Sequence, residues 1–114
     1  MIELPFPDKI LWPNGRGHRM AKHRAFQKHK TWAYHAMLAH GCSAGLVFAS
    51  RIEWAVTFYP KTRHAIDDDN ARASLKAYQD GLAAALGVND AIFAAPRIQF
   101  AEPVKGGKVV VTLG

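Results

Sequence analysis

The run Asp67-Asp68-Asp69-Asn70 places three carboxylates side by side in a 114-residue chain that has nine acidic residues in all. Helix capping accounts for one or two of them, because Asp and Asn accept the orphan N–H bonds of a first turn and complement its dipole. Three adjacent carboxylates repel one another unless positive charge sits among them, and hard divalent cations such as Mg²⁺ take carboxylate oxygens together with water. Asp67 and Asp69 lie two apart where extended chain is expected, so their side chains share one side while Asp68 points away. Counting 100° per residue from Asp69 down the helix that follows, Lys76 falls about 20° to one side and Asp80 about 20° to the other. A lysine there either balances the acidic cluster and stabilises charge developing on a phosphate, or makes an ordinary i,i+4 pair with Asp80 of a few tenths of a kcal/mol. Asp90, in Gly87-Val88-Asn89-Asp90, is turn chemistry by itself. It completes a metal site if the strand after it lies beside the strand that delivers Asp67.

Other chemistries find less footing. None of the six histidines forms His-x-x-x-His or pairs with a cysteine, which argues against zinc. Cys42, between Gly41 and Ser43, has no nucleophile signature, and there is no Gly-rich phosphate loop or dinucleotide fingerprint.

The elements that must position these residues read as β-α-β-α-β-β. Ile2 to Phe6 is a short strand, broken by Pro5, Pro7 and the Pro13-Asn14-Gly15 turn. Met20 to His40, free of Gly and Pro, is the first helix, with Phe26, Ala33 and Met37 at helical spacing. Val47 to Tyr59 is a long strand with Ile52, Trp54, Val56 and Phe58 on one face and Arg51, Glu53, Thr57 and Tyr59 on the other. A second helix runs from the acidic cluster to Gly87, its core stripe made of Ala71, Leu75, Tyr78, Leu82, Ala85 and Leu86. Ile92 to Phe100, with a bend or edge at Pro96, and Lys108 to Leu113 are strands, and Gly106-Gly107 between them signals a hairpin. The expected fold class is α+β: one small domain over residues 1–114, a mixed sheet with two helices packed on one face.

Composition agrees with one soluble globular domain, 49% hydrophobic and 21% charged. A chain of this size buries roughly two thirds of its unfolded surface, enough for one core. The lone cysteine excludes an internal disulfide and favours a reducing compartment, with the cytoplasm as the expected location. Met1-Ile2-Glu3-Leu4-Pro5 lacks the basic start and apolar run of a signal peptide, and no stretch is long enough to span a bilayer. Fifteen Lys and Arg give a net charge of +6, and the signs are segregated: no acidic residue stands between Lys9 and Ile52. That stretch carries Arg16, Arg19, Lys22, Arg24, Lys28, Lys30 and Arg51 with His18, His23, His29, His35 and His40, and it interleaves Phe26, Trp32 and Tyr34. Such a stretch suits a nucleic-acid backbone, or is a solvated basic helix face.

Together, Pro13-Asn14-Gly15-Arg16-Gly17-His18, the central Asp67-Asp68-Asp69-Asn70, Lys76-x3-Asp80-Gly81-Leu82 and Gly87-Val88-Asn89-Asp90 before a strand resemble the RusA family of Holliday-junction endonucleases, small dimeric resolvases common in phages and prophages. The resemblance runs over most of the chain, and the ordered series is more specific than any of its pieces. It implies a RusA-like fold, a homodimer, a four-way DNA junction as partner and Mg²⁺ as cofactor, in a crossover junction endodeoxyribonuclease serving DNA recombination and repair. It further implies that Asp67, Asp69 and Asp90 bind the metal and, with Lys76, are catalytic. Asn14, Arg16, His18, Arg19, Lys22, Arg24, Lys28 and Arg72 are the expected DNA contacts. Two positions depart from the family's usual pattern. Lys76 stands six residues after Asn70 rather than three, one helical turn farther along, which makes Arg72 a rival for its role. Asn89 occupies a place where the family often has a first Asp.

The implied mechanism is phosphodiester hydrolysis, with Mg²⁺ lowering the pKa of a bound water and neutralising the scissile phosphate. The competing reading is a non-catalytic branched-DNA-binding module, or an inactive prophage relic, in which the aspartates are merely a cap. A nuclease acting on flaps or forks is a milder variation.

Overall fold

A computed structural model describes residues 1–13, 18–63 and 67–114. Its strands are β1 (Ile2–Leu4), β2 (Trp54–Tyr59), β3 (Arg97–Phe100) and β4 (Lys108–Leu113). Its helices are α1 (Arg19–His40), α2 (Ala44–Val47), α3 (Asp68–Ser74) and α4 (Lys76–Leu86), with single 3₁₀ turns at Lys9–Leu11 and Asp90–Ile92.

The strands form one mixed sheet in the order β1-β4-β2-β3, antiparallel except for the parallel pair β2/β3. Strand alternation turns this register into two rows of side chains on one face. Ile2, Val111, Val56 and Ile98 form the first row, and Leu4, Val109, Phe58 and Phe100 the second. The six of these on β1, β4 and β2 are buried, each contributing about 1.5–3 kcal/mol of apolar burial for the larger side chains. The α1 residues Ala33 and Met37 and the α4 residues Tyr78, Leu82 and Leu86 share this core. The fold class is therefore α+β, with a four-stranded mixed sheet and helices.

Several local expectations are corrected. The alternation in β2 holds, but the regular strand begins at Trp54, with only an Ile52–Phe93 bridge before it; Ala44–Val47 is a helical turn capped by the Ser43 hydroxyl. Gly106 and Gly107 both take positive φ, yet they do not make a hairpin. β4 inserts between β1 and β2, where Val109 and Val111 are buried, while β3 pairs only with β2. The second helix is two helices, interrupted at Leu75, whose N–H bonds back three residues to the Arg72 carbonyl. On α1 the buried stripe is Ala25, His29, Ala33 and Met37, so Phe26 lies beside it, half-buried. Of the predicted stripe on the second helix, Ala71, Leu75, Tyr78, Leu82 and Leu86 are buried and Ala85 is half-buried.

His29 ties the chain before α1 to the helix itself. Its Nδ1 donates to the Ala25 carbonyl at 2.7 Å, and its Nε2 accepts the Asp8 backbone N–H at 3.1 Å, which defines a neutral ring protonated on Nδ1. Desolvation, assisted by the neighbouring Lys28, holds its pKa below the ordinary 6.5, against the opposing pull of the Ala25 carbonyl and Asp8. A histidine whose folded pKa is lowered contributes stability above its unfolded value and loses it as pH falls through the folded value. The thermal midpoint is accordingly expected to fall as pH is taken from 7.5 to 5, and the slope below 6.5 to shrink in His29→Gln. An unchanged slope in that variant would show that other groups set the acid limit.

Candidate functional site

Parallel pairing of β2 with β3 makes β2-α3-α4-β3 one crossover unit, and all four predicted catalytic residues lie on it. Asp67 is the N-cap of α3. Its backbone is extended, and its carboxylate accepts the Asn70 N–H at 2.8 Å and the Asn70 side-chain amide at 3.3 Å. The helix has already begun at Asp68, so Asp69 sits in the first turn and not on extended chain. The strand-like side-by-side placement expected of Asp67 and Asp69 is thereby corrected: Asp67 stays extended as the cap that satisfies a first-turn N–H, and Asp69 is drawn into the helix. Asp68 and Asp69 remain exposed. Arg72, one turn on, donates to Asp68 at 3.0 Å and to the Pro96 carbonyl at 3.4 Å, linking α3 to the chain entering β3.

Lys76 opens α4 and reaches two carboxylates. Its ammonium donates to Asp80 at 2.8 Å and also to Asp90. The predicted i,i+4 pair therefore forms, and Asp90 joins it from the turn after the helix. Gln79 holds that turn in place by donating to the Asp90 carbonyl at 3.1 Å, and Asn89 caps it through the Ala91 N–H at 2.9 Å. The two carboxylates keep the Lys76 pKa above its ordinary value, Asp80 contributing more than Asp90. The lysine in turn holds Asp90 below the usual carboxylate value. Lys76 and Asp90 are substantially solvent-exposed and Asp80 is half-buried, so this cluster is a charge arrangement available to a ligand more than a source of fold stability.

The structure thus assembles Lys76, Asp80 and Asp90, and separately Asp67 with Asn70 and Asp68 with Arg72. Carboxylate oxygens are donors suited to a hard divalent cation. Among the described residues, no three His, Cys, Asp or Glu side chains converge on a single metal position. Asp80, expected on the same polar stripe as Asp69 and within reach of Lys76, joins Asp90 on the lysine.

The predicted DNA-contact residues divide. Asn14 and Arg16 lie outside the described residues. His18 is the N-cap of α1, its Nδ1 accepting the Met20 N–H at 3.1 Å. Helical periodicity sets Arg24 and Lys28 with His35 on one flank of α1, and Arg19 with His23 and Lys30 on the other. Lys22 is half-buried, and Arg72 is engaged with Asp68. The basic stretch is therefore split across both flanks of one long helix. No helix among the described residues is long and apolar enough to cross a membrane.

No protein-family model matches the chain. It is similar to a protein of Xylella fastidiosa (strain Temecula1 / ATCC 700964) described as an uncharacterized protein: 35% identity over 113 residues, covering 98% of this chain and 74% of that one.

Proposed function

We propose that this chain, which belongs to the same family as the Xylella fastidiosa protein, is a metal-dependent, structure-specific endodeoxyribonuclease of the RusA type acting as a homodimer on four-way DNA junctions, a reading supported by its own ordered carboxylates and lysine rather than by that relative. The observation that carries the reading is the Lys76 ammonium held between Asp80 and Asp90. It joins the later members of the ordered series, Lys76, Asp80 and Asp90, in one cluster. The parallel pairing of β2 and β3 supports it as well, because it sets the strand after Asp90 beside the strand before Asp67.

In this reading Asp67, Asp69 and Asp90, which do not converge on one position among the described residues, would be drawn together by Mg²⁺ on binding, and the ion would activate a water and neutralise phosphate charge. Asp67 also caps α3 and so fixes where the acidic turn begins. Lys76 keeps Asp90 ionised and brings positive charge to the site. Arg24 and Lys28 on α1 take the strand backbones. A two-fold dimer presents two equivalent sites to the symmetry-related strands of a junction.

The test is incubation with a labelled synthetic four-way junction and a linear duplex of matched sequence, in Mg²⁺ and in EDTA. Symmetric, Mg²⁺-dependent nicking of the junction alone is the expected result. Tight junction binding with no cutting in either condition would overturn the enzymatic assignment in favour of a binding module whose aspartates only cap a helix.

A further inference from the structure

A groove of about 840 Å³ opens between the chain before α1, the exposed side of α1 and the segment leaving β2. Its volume lies within the range of about 300–1,000 Å³ typical of ligand clefts. Two indoles, Trp12 and Trp32, line it together with Lys9, Lys28 and Lys61. Lys9 stands 5.8 Å from the Trp12 ring centre, and Lys28 stands 5.1 Å from that of Trp32. The buried His29 ring packs against Trp32 at a 50° tilt, 4.8 Å between centres, while Trp32 itself stays 36% exposed. The one carboxylate in the groove, Asp8, accepts the Ile10 N–H and caps the 3₁₀ turn there.

Aromatic rings with flexible lysine ammonium groups over them, in a concave surface, are chemistry suited to unpaired nucleotides, since a base can displace the lysine from the ring and its phosphate can then meet the ammonium. Bases stack on the rings, and the phosphates between them meet the cations. A duplex keeps its bases stacked on each other and offers such a groove only its backbone. We propose that this groove binds unpaired nucleotides of a DNA strand, with Trp32 and Trp12 as stacking platforms and Lys9, Lys28 and Lys61 as phosphate contacts. Lys61 and Asp67 are six residues apart on one connection, so their backbones lie no farther apart than roughly 20 Å. The groove therefore lies within about 20 Å of chain from the candidate cutting site. The inference rests on the proposed nuclease reading for the identity of the polymer as DNA, but its test does not use cleavage.

The full chain is titrated in EDTA with a ten-residue oligothymidylate, an abasic sugar–phosphate oligomer of the same length and a ten-base-pair duplex, with tryptophan fluorescence as the signal. Trp54, buried with its N–H on the Ala94 carbonyl, supplies a constant background. Oligothymidylate is expected to quench fluorescence and to bind at least tenfold more tightly than either control. Trp32→Ala should remove that preference, Trp32→Phe should retain most of it, and Lys28→Ala should lower the salt dependence of log Kd by about one. Equal binding of the abasic oligomer, equal binding of the duplex, or an unchanged preference in a folded Trp32→Ala protein would each overturn the proposal. Base-dependent binding without any Mg²⁺-dependent nicking would remove the nuclease reading and leave the groove assignment standing.

Discussion

Asp69→Asn is expected to abolish Mg²⁺-dependent junction cleavage, a loss on the order of 10³-fold or more, while junction binding in EDTA is preserved or strengthened. The substitution keeps shape and removes one negative charge from the first turn of α3, where Asp69 is exposed. Removing a carboxylate that opposes the phosphodiester backbone lowers repulsion even as it deprives the proposed metal of a ligand, so rate and affinity move in opposite directions. Asp69 is a cleaner probe than Asp67, whose carboxylate also holds the Asn70 N–H and shapes the helix start. Nicking rates on a labelled junction and gel-shift affinities in EDTA read the two effects separately. Cleavage at the parental rate would remove Asp69 from the site.

Gly81→Ala is expected to destabilise the fold by about 3 kcal/mol, lowering the thermal midpoint by roughly 10–15 °C. In an isolated helix the same change would stabilise, by about 1 kcal/mol, because glycine carries the larger conformational penalty. The sign reverses here because α1 and α4 meet at this glycine. A Cβ at position 81 would lie 2.2 Å from the Lys30 carbonyl oxygen and 2.8 Å from the Ala33 Cβ. The Lys30 oxygen belongs to helical backbone and cannot swing away as a flexible side chain would. Relief requires the two helices to separate, and both pack into the single core through Ala33, Met37, Tyr78 and Leu82. A melting curve decides between the two signs, and a midpoint equal to or above the parent's would show that the interface yields at little cost.

Short-range pattern made much of this molecule legible before its tertiary structure. Trp54, Val56 and Phe58 alternate with half-buried neighbours because one face of β2 is covered and strand geometry has a period of two. Ala71, Leu75, Tyr78, Leu82 and Leu86 could be assigned to the core because helical period brings them to one side. The Lys76–Asp80 pair followed from the same geometry. Where a local preference competed with a long-range partner, pattern failed. The Val47 segment has strand-like residues but becomes a turn of helix, and Gly106-Gly107 has hairpin chemistry but sends β4 across the sheet.

Composition, periodicity and the order of Asp67, Asp69, Lys76 and Asp90 were properties of the chain alone, since they depend on residue type and spacing within a few turns. The partners of those residues were not. Lys76 meets Asp90 fourteen positions away, His29 reaches the Asp8 backbone across twenty-one, and Trp12 lines the same groove as Trp32 and Lys61. Such contacts arise only when α1, α4 and the connection after β2 close on one another, because a one-dimensional pattern carries no record of which remote surface a side chain will face.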